Sequence, residues 1–334
     1  MVVGVLLVVI VMGRVEDELY VLEEGVDSGG VDLESVDSAS DSNVYLLYTL
    51  NTQEFMTPDL SYQTVNQLLD LHEAYEVPID VYFADFLVQA LADDYGDLFD
   101  RLKREALFAV SYHVRAPFPY GGNYNPYDWD DFSSEALYSL IESYESFAMD
   151  WVTGELTDDA GGYTYLADLM GYPPVAAGVK NDMPEEVKEA LVSFYADAGA
   201  SFVVSHKSGD LNWGDMIYEL PYRPENLEIK VYNQSSQATI DEIESFLAKN
   251  EGSEEALVIN LKMHDKDFFA DDSAWVSIYG YGNPKPPYKL ERYDGVELLP
   301  IEAQEEVWNT YEAVLEYVSE TEALVPVNLS MLDI

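Results

Sequence analysis

Four histidines occur in the 334 residues of this chain, and three of them stand where an apolar run stops. The run 256–263 ends on His264, which Asp265, Lys266 and Asp267 follow directly. An imidazole beside a carboxylate is a general acid–base arrangement, because the carboxylate orients the ring and holds its proton. The run 108–112 leads into His113 and Arg115, and the run 201–205 leads into His206 and Lys207. In an extended segment His113 and Arg115 share a side, so an imidazole and a bidentate guanidinium could meet one anionic or polar group. Arg115 could equally serve to neutralise Asp128 or Asp130. The expected catalytic set is therefore His264, Asp265, His113 and Arg115. A divalent ion such as zinc could be held by His113 and His264 with Asp267, Asp265 or Glu54, although no ligand spacing demands it. His206 has no motif around it, and His72 falls inside a helical pattern as a packed or surface residue.

These residues need strands to deliver them to one place. Short apolar runs at 44–50, 79–83, 107–112, 174–179, 201–205, 228–232, 257–263 and 324–328 alternate with longer helical patterns, which argues for a parallel sheet with crossover helices. Val65, Leu68, Leu69 and Leu71 begin one helical face, and Val187, Ala190, Leu191 and Phe194 form another. Thr239 to Glu242 reads as a capping box and Pro184 as a helix start. The expected fold is an α/β distorted (β/α)7-8 barrel of mainly parallel strands, a single domain over 44–334. In such folds ligands gather at the carboxyl ends of the strands. Three long connections, 113–132, 208–227 and 270–290, are rich in aromatic residues and fit the walls of a site. Tyr120, Trp129, Trp213 and Trp275, with Asn51, are candidate substrate contacts, since flat rings stack on sugar faces. The same rings could instead pack against the barrel rim with their polar tips wet.

Composition narrows the partners. With 64 acidic and 16 basic residues the formal net charge is −48, a field that repels nucleic acid and anionic membrane. Self-repulsion on this scale favours a saline setting. The chain has no cysteine, which excludes disulfides and thiolate chemistry. Residues 1–13 contain an apolar stretch too short to span a bilayer and suited to a secretory signal, so membrane contact is expected only through this segment if it is retained. Residues 14–43, acidic and rich in Ser and Gly, read as a tether, and the protein is expected to be secreted or cell-surface.

The order of these features resembles the polysaccharide deacetylase (NodB-like) family. The stretch ALVINLKMHD at 256–265 is similar to that family's last motif, a strand ending in Leu-x-His-Asp, and YEVPIDVYF at 75–83 is similar to its second strand. VYLLYTLNTQEF at 44–55 sits where the family's first strand ends in Thr-Phe-Asp-Asp-Gly, and His113 falls at its histidine motif. The resemblance implies a barrel that removes acetyl groups from amino sugars with a divalent metal. It also implies that the two aspartates of the first motif, a base and a metal ligand, are replaced by Asn51 and Thr52, and that the second histidine of the pair is Pro117. Arg115-Ala116-Pro117-Phe118 is a displaced echo of a further motif. Two functions follow as expectations: a carbohydrate-active hydrolase, or a non-catalytic glycan-binding or surface module on the same barrel. A hydrolase of another substrate class remains open, since one fold hosts many chemistries.

Overall fold

In the computed structural model the described residues are 31–32, 44–113, 115, 132–179, 183–205, 218–219, 227–231, 234–253, 256–280 and 286–333. The apolar segment 1–13, most of the 14–43 stretch, Tyr120, Trp129, Trp213, His206, Asp128 and Asp130 lie outside them.

The strands of the main sheet are β1 (Val44–Asn51), β2 (Ile79–Phe83), β3 (Phe108–Tyr112), β4 (Ala176–Val179), β5 (Phe202–Ser205), β6 (Tyr218–Glu219), β7 (Leu227–Lys230), β8 (Leu257–His264) and β9 (Val325–Val327). They form one parallel sheet in the order β7-β8-β1-β2-β3-β4-β5-β6, with β9 also paired to β1. Seven strands of four to eight residues curve into a half-barrel, and β6 and β9 are short additions. The eight expected strand positions all hold, each to within two residues.

Around the sheet run α1 (Pro58–Tyr75), α2 (Asp85–Asp94), α3 (Gly96–Arg104), α4 (Ser134–Ser146), α5 (Gly162–Met170), α6 (Glu185–Asp197), α7 (Ser236–Lys249) and α8 (Ile301–Glu320). Pro184 immediately precedes α6, one position before the expected place. The capping box expected at Thr239 is corrected: Ser235 caps α7 by accepting the Ala238 N–H, and Thr239 is buried one turn inside. The Ser235 hydroxyl, four residues earlier, starts the helix one turn sooner, and the apolar positions Ile243 and Phe246 fit either start.

Every residue of β1 is buried, as expected of a central strand covered on both faces. The period-2 alternation assigns the faces. Leu46, Tyr48 and Leu50 of β1, with Val81, Val110, Ile259 and Leu261, belong to the core shared with the helices. Tyr45, Leu47, Tyr82, Ala176, Phe202 and Val258 form a second cluster on the inner face. β8 pairs along the whole of β1, whereas β2 meets only Thr49 to Asn51 and leaves the lower edge of β1 open. β9 fills that edge opposite Tyr45, Leu46 and Leu47. Beyond β9, Val327, Leu329 and Leu332 pack into the inner cluster, so the C-terminal segment closes the amino-terminal end of the half-barrel. The Leu329 N–H donates to the buried Asp80 carboxylate at 3.1 Å. Val31–Asp32 pairs in parallel with Leu332–Asp333.

Candidate functional site

The carboxyl ends of β8, β1, β2 and β3 place His264, Asn51, Tyr82 and Ser111 in one register row. Register partners in a parallel sheet share a face, and these four lie on the inner side with Tyr82. His113 follows Ser111 by two residues, and its N–H donates to the Phe83 carbonyl at 2.9 Å, extending the row by one step. His264 and His113 are thus three strand spacings apart along the sheet, about 14 Å at the usual interstrand distance.

At the β8 end, the chain turns from His264 into a 3-10 helix, Asp265–Phe268. The His264 N–H donates to Asp267 Oδ2 at 2.8 Å, and His264 Nδ1 lies 3.0 Å from the same oxygen. The carboxylate that orients the imidazole is therefore that of Asp267, two residues beyond the expected Asp265. Lys266 Nζ lies 3.1 Å from the other oxygen of Asp267. The His264 side chain is 17% exposed, while that of Asp267 is buried. A carboxylate on Nδ1 fixes the tautomer and aim of the ring, the arrangement by which an imidazole exchanges a proton through Nε2.

Asp265 is engaged elsewhere. Its Oδ1 accepts the Gln53 and Lys266 N–H groups, each at 2.9 Å, and its Oδ2 accepts Ser61 Oγ at 2.6 Å and the Glu54 N–H at 3.3 Å. Burial pushes its pKa up against the opposing pull of these bonds. Glu54, the nearest carboxylate to the substituted first motif, is also built in. It accepts the Met56 and Thr57 N–H groups, the Tyr293 hydroxyl at 3.1 Å and the Ala274 N–H at 2.7 Å. Burial raises its pKa, opposed by the Ala274 bond, with the Asp265 charge adding to the rise. Thr52 accepts the Ala84 N–H and donates to the Tyr82 carbonyl, tying β1 to β2.

At the other end of the row, His113 is buried with its ring edge-on to Trp275 at 5.0 Å between centroids. Trp275 opens a short π-helix, Trp275–Gly280, whose start is anchored by the Ala274–Glu54 bond. Arg115 is drawn inward: its Nη2 meets Asp85 Oδ2 and the Phe147 carbonyl, each at 2.7 Å, and both ion-pair side chains are fully buried. Asp85 Oδ1 also accepts the Gly162 N–H at 2.7 Å. Only glycine allows this approach, since Gly162 has φ +65° and a Cβ there would lie 2.6 Å from the Glu145 backbone. Arg115 thus ties the β3 exit to α2 and to the end of α4, and Asp85 carries the link on to the start of α5.

The structure accordingly brings together His264 with Asp267, His113 with Trp275, and Asn51 with His264 in register. Among the described residues, no three of His, Asp and Glu are grouped closely enough to hold a metal ion. Behind the His264 turn, between β8, α7 and α8, lies a cavity of about 570 Å³ lined by Lys266, Asp267, Phe268, Glu306, Thr310 and Tyr311 among others.

No family profile matches the chain, and no curated protein matches it. Solved structures do. A Mycobacterium smegmatis protein assigned to the polysaccharide deacetylases is similar over 88% of this chain and 90% of its own, at 10% identity and a TM-score of 0.48. The 4-alpha-glucanotransferase of Thermococcus litoralis is similar over 85% of this chain and 39% of its own, at 13% identity and a TM-score of 0.46. At these scores neither likeness bears on activity.

Sequence reasoning missed Asp85 and Lys262. Asp85 had a signal, a carboxylate two residues past a strand end. Lys262 had a clearer one: Asn260, Lys262 and His264 alternate with apolar residues along β8, marking the inner face as polar. Burial pulls the Lys262 pKa below the usual lysine range, with Glu228 opposing.

Proposed function

We propose that this protein is an exported, carbohydrate-directed protein that binds a glycan across the inner carboxyl-terminal rim of its half-barrel. The observation that carries the reading is the row His264, Asn51, Tyr82 and Ser111, flanked by the His113–Trp275 pair. Amide and hydroxyl groups suit sugar hydroxyls, and an aromatic ring suits a sugar face. The apolar amino-terminal stretch supports export, and the net charge of −48 supports a saline setting.

A hydrolytic role is the second reading, and the His264–Asp267 pair favours it. His264 would take a proton from water as the water adds to a carbonyl, and return that proton to the leaving group. No step in this proposal runs through a metal.

The test is calorimetry of the purified protein against a broad glycan panel, acetylated members included, in low and high salt. Binding that Asn51→Ala and Trp275→Ala weaken about tenfold or more supports the rim as the site. Failure to bind any panel member sinks the reading. Acetate or reducing-sugar release by the wild type, lost in His264→Gln, would add hydrolysis to binding. Its absence would leave a binding module.

A further inference from the structure

The turn that follows His264 has a back as well as a front. Met263 alternates with His264 along β8, so it points to the helix side of the sheet and joins the core shared with the helices. There it lines the cavity of about 570 Å³ between β8, α7 and α8, a volume within the range of about 300–1,000 Å³ usual for small-molecule sites. The floor is apolar. Met263, Phe268 and Tyr311 are buried, and the Tyr311 hydroxyl is taken up by His72, which leaves a thioether and two rings to meet an occupant. Asp271 and Glu306, also in the lining, are exposed and therefore stand at the mouth.

Charge sets the sign of the occupant. Asp267, Asp271 and Glu306 place three carboxylates in the lining against one ammonium, that of Lys266. Lys266 Nζ is committed to Asp267 Oδ1 at 3.1 Å and to the Asp271 carbonyl at 2.5 Å, and Asp267 also holds His264. Among the described residues no hydrogen bond or ion pair reaches the carboxylates of Asp271 and Glu306. The amino end of α7, capped by Ser235 in the lining, adds about half a positive charge, which does not balance two carboxylates. Free carboxylates are ordinary in a chain with 64 acidic residues; the apolar floor beneath these two is not. The lip is apolar as well. Leu298 and Ile301 are the two most exposed large apolar side chains among the described residues. Leu298 is bridged to the lining residue Ala270, and Ile301 opens α8 within two residues of Leu299 and Ala303, which line the cavity too.

We infer that this cavity binds a small organic monocation with an apolar body, an aryl- or alkylammonium. Its hydrocarbon part lies on Met263, Phe268 and Tyr311, and its ammonium is turned toward Asp271 and Glu306. The site opens on the opposite side of β8 from the glycan rim and does not depend on that reading. Apolar burial supplies the affinity, and the two carboxylates supply the preference for positive charge.

The experiment follows the Met263 methyl signal by NMR in 1 M NaCl, where the Debye length is about 3 Å and the general field of the protein is screened. Three probes share one phenylpropyl body: 3-phenylpropylammonium, 3-phenylpropan-1-ol and 3-phenylpropionate. With each exposed carboxylate contributing about threefold, the ammonium should bind about tenfold more tightly than the alcohol, and the carboxylate more weakly still. Glu306→Gln and Asp271→Asn should each weaken the ammonium about threefold and leave the alcohol unchanged. Glu305→Gln removes the same charge from an exposed neighbour on α8 outside the lining, and should change nothing. All three substitutions are on exposed side chains, so the fold is kept. Equal binding of ammonium and alcohol, tighter binding of the carboxylate, or equal losses in Glu305→Gln and Glu306→Gln overturns the inference. So does a Met263 signal that stays in place with the ammonium at tens of millimolar.

Discussion

Asp265 and Asp267 flank one lysine, yet the structure gives them opposite tasks, and an Asp265→Asn substitution separates them. The Asp265 side chain is fully buried and accepts four hydrogen bonds that join β8 to the Gln53–Glu54 turn and to α1. An amide in its place keeps one acceptor for the Gln53 and Lys266 N–H groups but turns an NH2 toward Ser61 Oγ and the Glu54 N–H. Ser61 can rotate its hydroxyl to accept, whereas the Glu54 N–H cannot. Each buried donor left unmade costs about 1–3 kcal/mol, and the cheaper burial of a neutral amide offsets part of this. The net expected loss is about 2 kcal/mol, read as a lower midpoint in urea at unchanged slope. Ser61→Ala should cost about 1 kcal/mol alone, and the double variant should depart from the sum of the two, because both changes act on the same Ser61–Asp265 contact. An Asp265→Asn protein that unfolds within about 0.5 kcal/mol of wild type would refute the assignment of Asp265 as a clamp of the β1–α1 turn.

Further predictions concern the other buried ionisable groups. Asp85→Ala should destabilise by about 3–5 kcal/mol, since it removes one partner of a fully buried ion pair, and a loss under about 1 kcal/mol in urea unfolding would contradict the burial of Arg115. His72 is buried, with Nδ1 at 2.7 Å from the Val77 carbonyl and Nε2 against the Tyr311 hydroxyl, and burial lowers its pKa from 6.5 to about 4. Its folded pKa is depressed, so the unfolded chain takes up the proton first: the contribution is whole above pH 6.5 and falls away toward pH 4, by about 3 kcal/mol in all. The stability difference between wild type and His72→Asn should therefore shrink across that window, and a constant difference would count against it. Asp80 behaves oppositely, because burial raises its pKa well above 3.8 despite the Leu329 bond. Its favourable contribution exists below pH 3.8 and is lost as pH rises through the higher folded value. Asp80→Asn should stabilise by about 1 kcal/mol at pH 7 and by nothing at pH 3, and thermal melts at the two values decide it.

The strands were legible because a parallel sheet covered on both faces leaves nearly continuous apolar runs, and Ile79–Phe83 is found where periodicity puts it. His264 and His113 were legible as strand ends for the same reason. Their partners were not. Asp265 and Asp267 carry the same carboxylate within three residues of His264, and only the 3-10 turn, which folds position 267 back onto 264, selects between them. Arg115 was open to two readings because an ion pair has no periodicity, and its partner Asp85 is 30 residues away at the exit of the neighbouring strand. The closing of the barrel base by Leu329 and Leu332 was hidden too, since three apolar residues after a short strand read alike whether they cover a helix or enter a barrel. What was lost at these points is facing. An inner-face residue differs from an outer one only by parity, so Asn260, Lys262 and His264 announce the polar interior once a single residue of β8 is placed. The Thr49–Asn260 hydrogen bond supplies that placement, and with it the parity that sends Lys262 and His264 to the same side of β8.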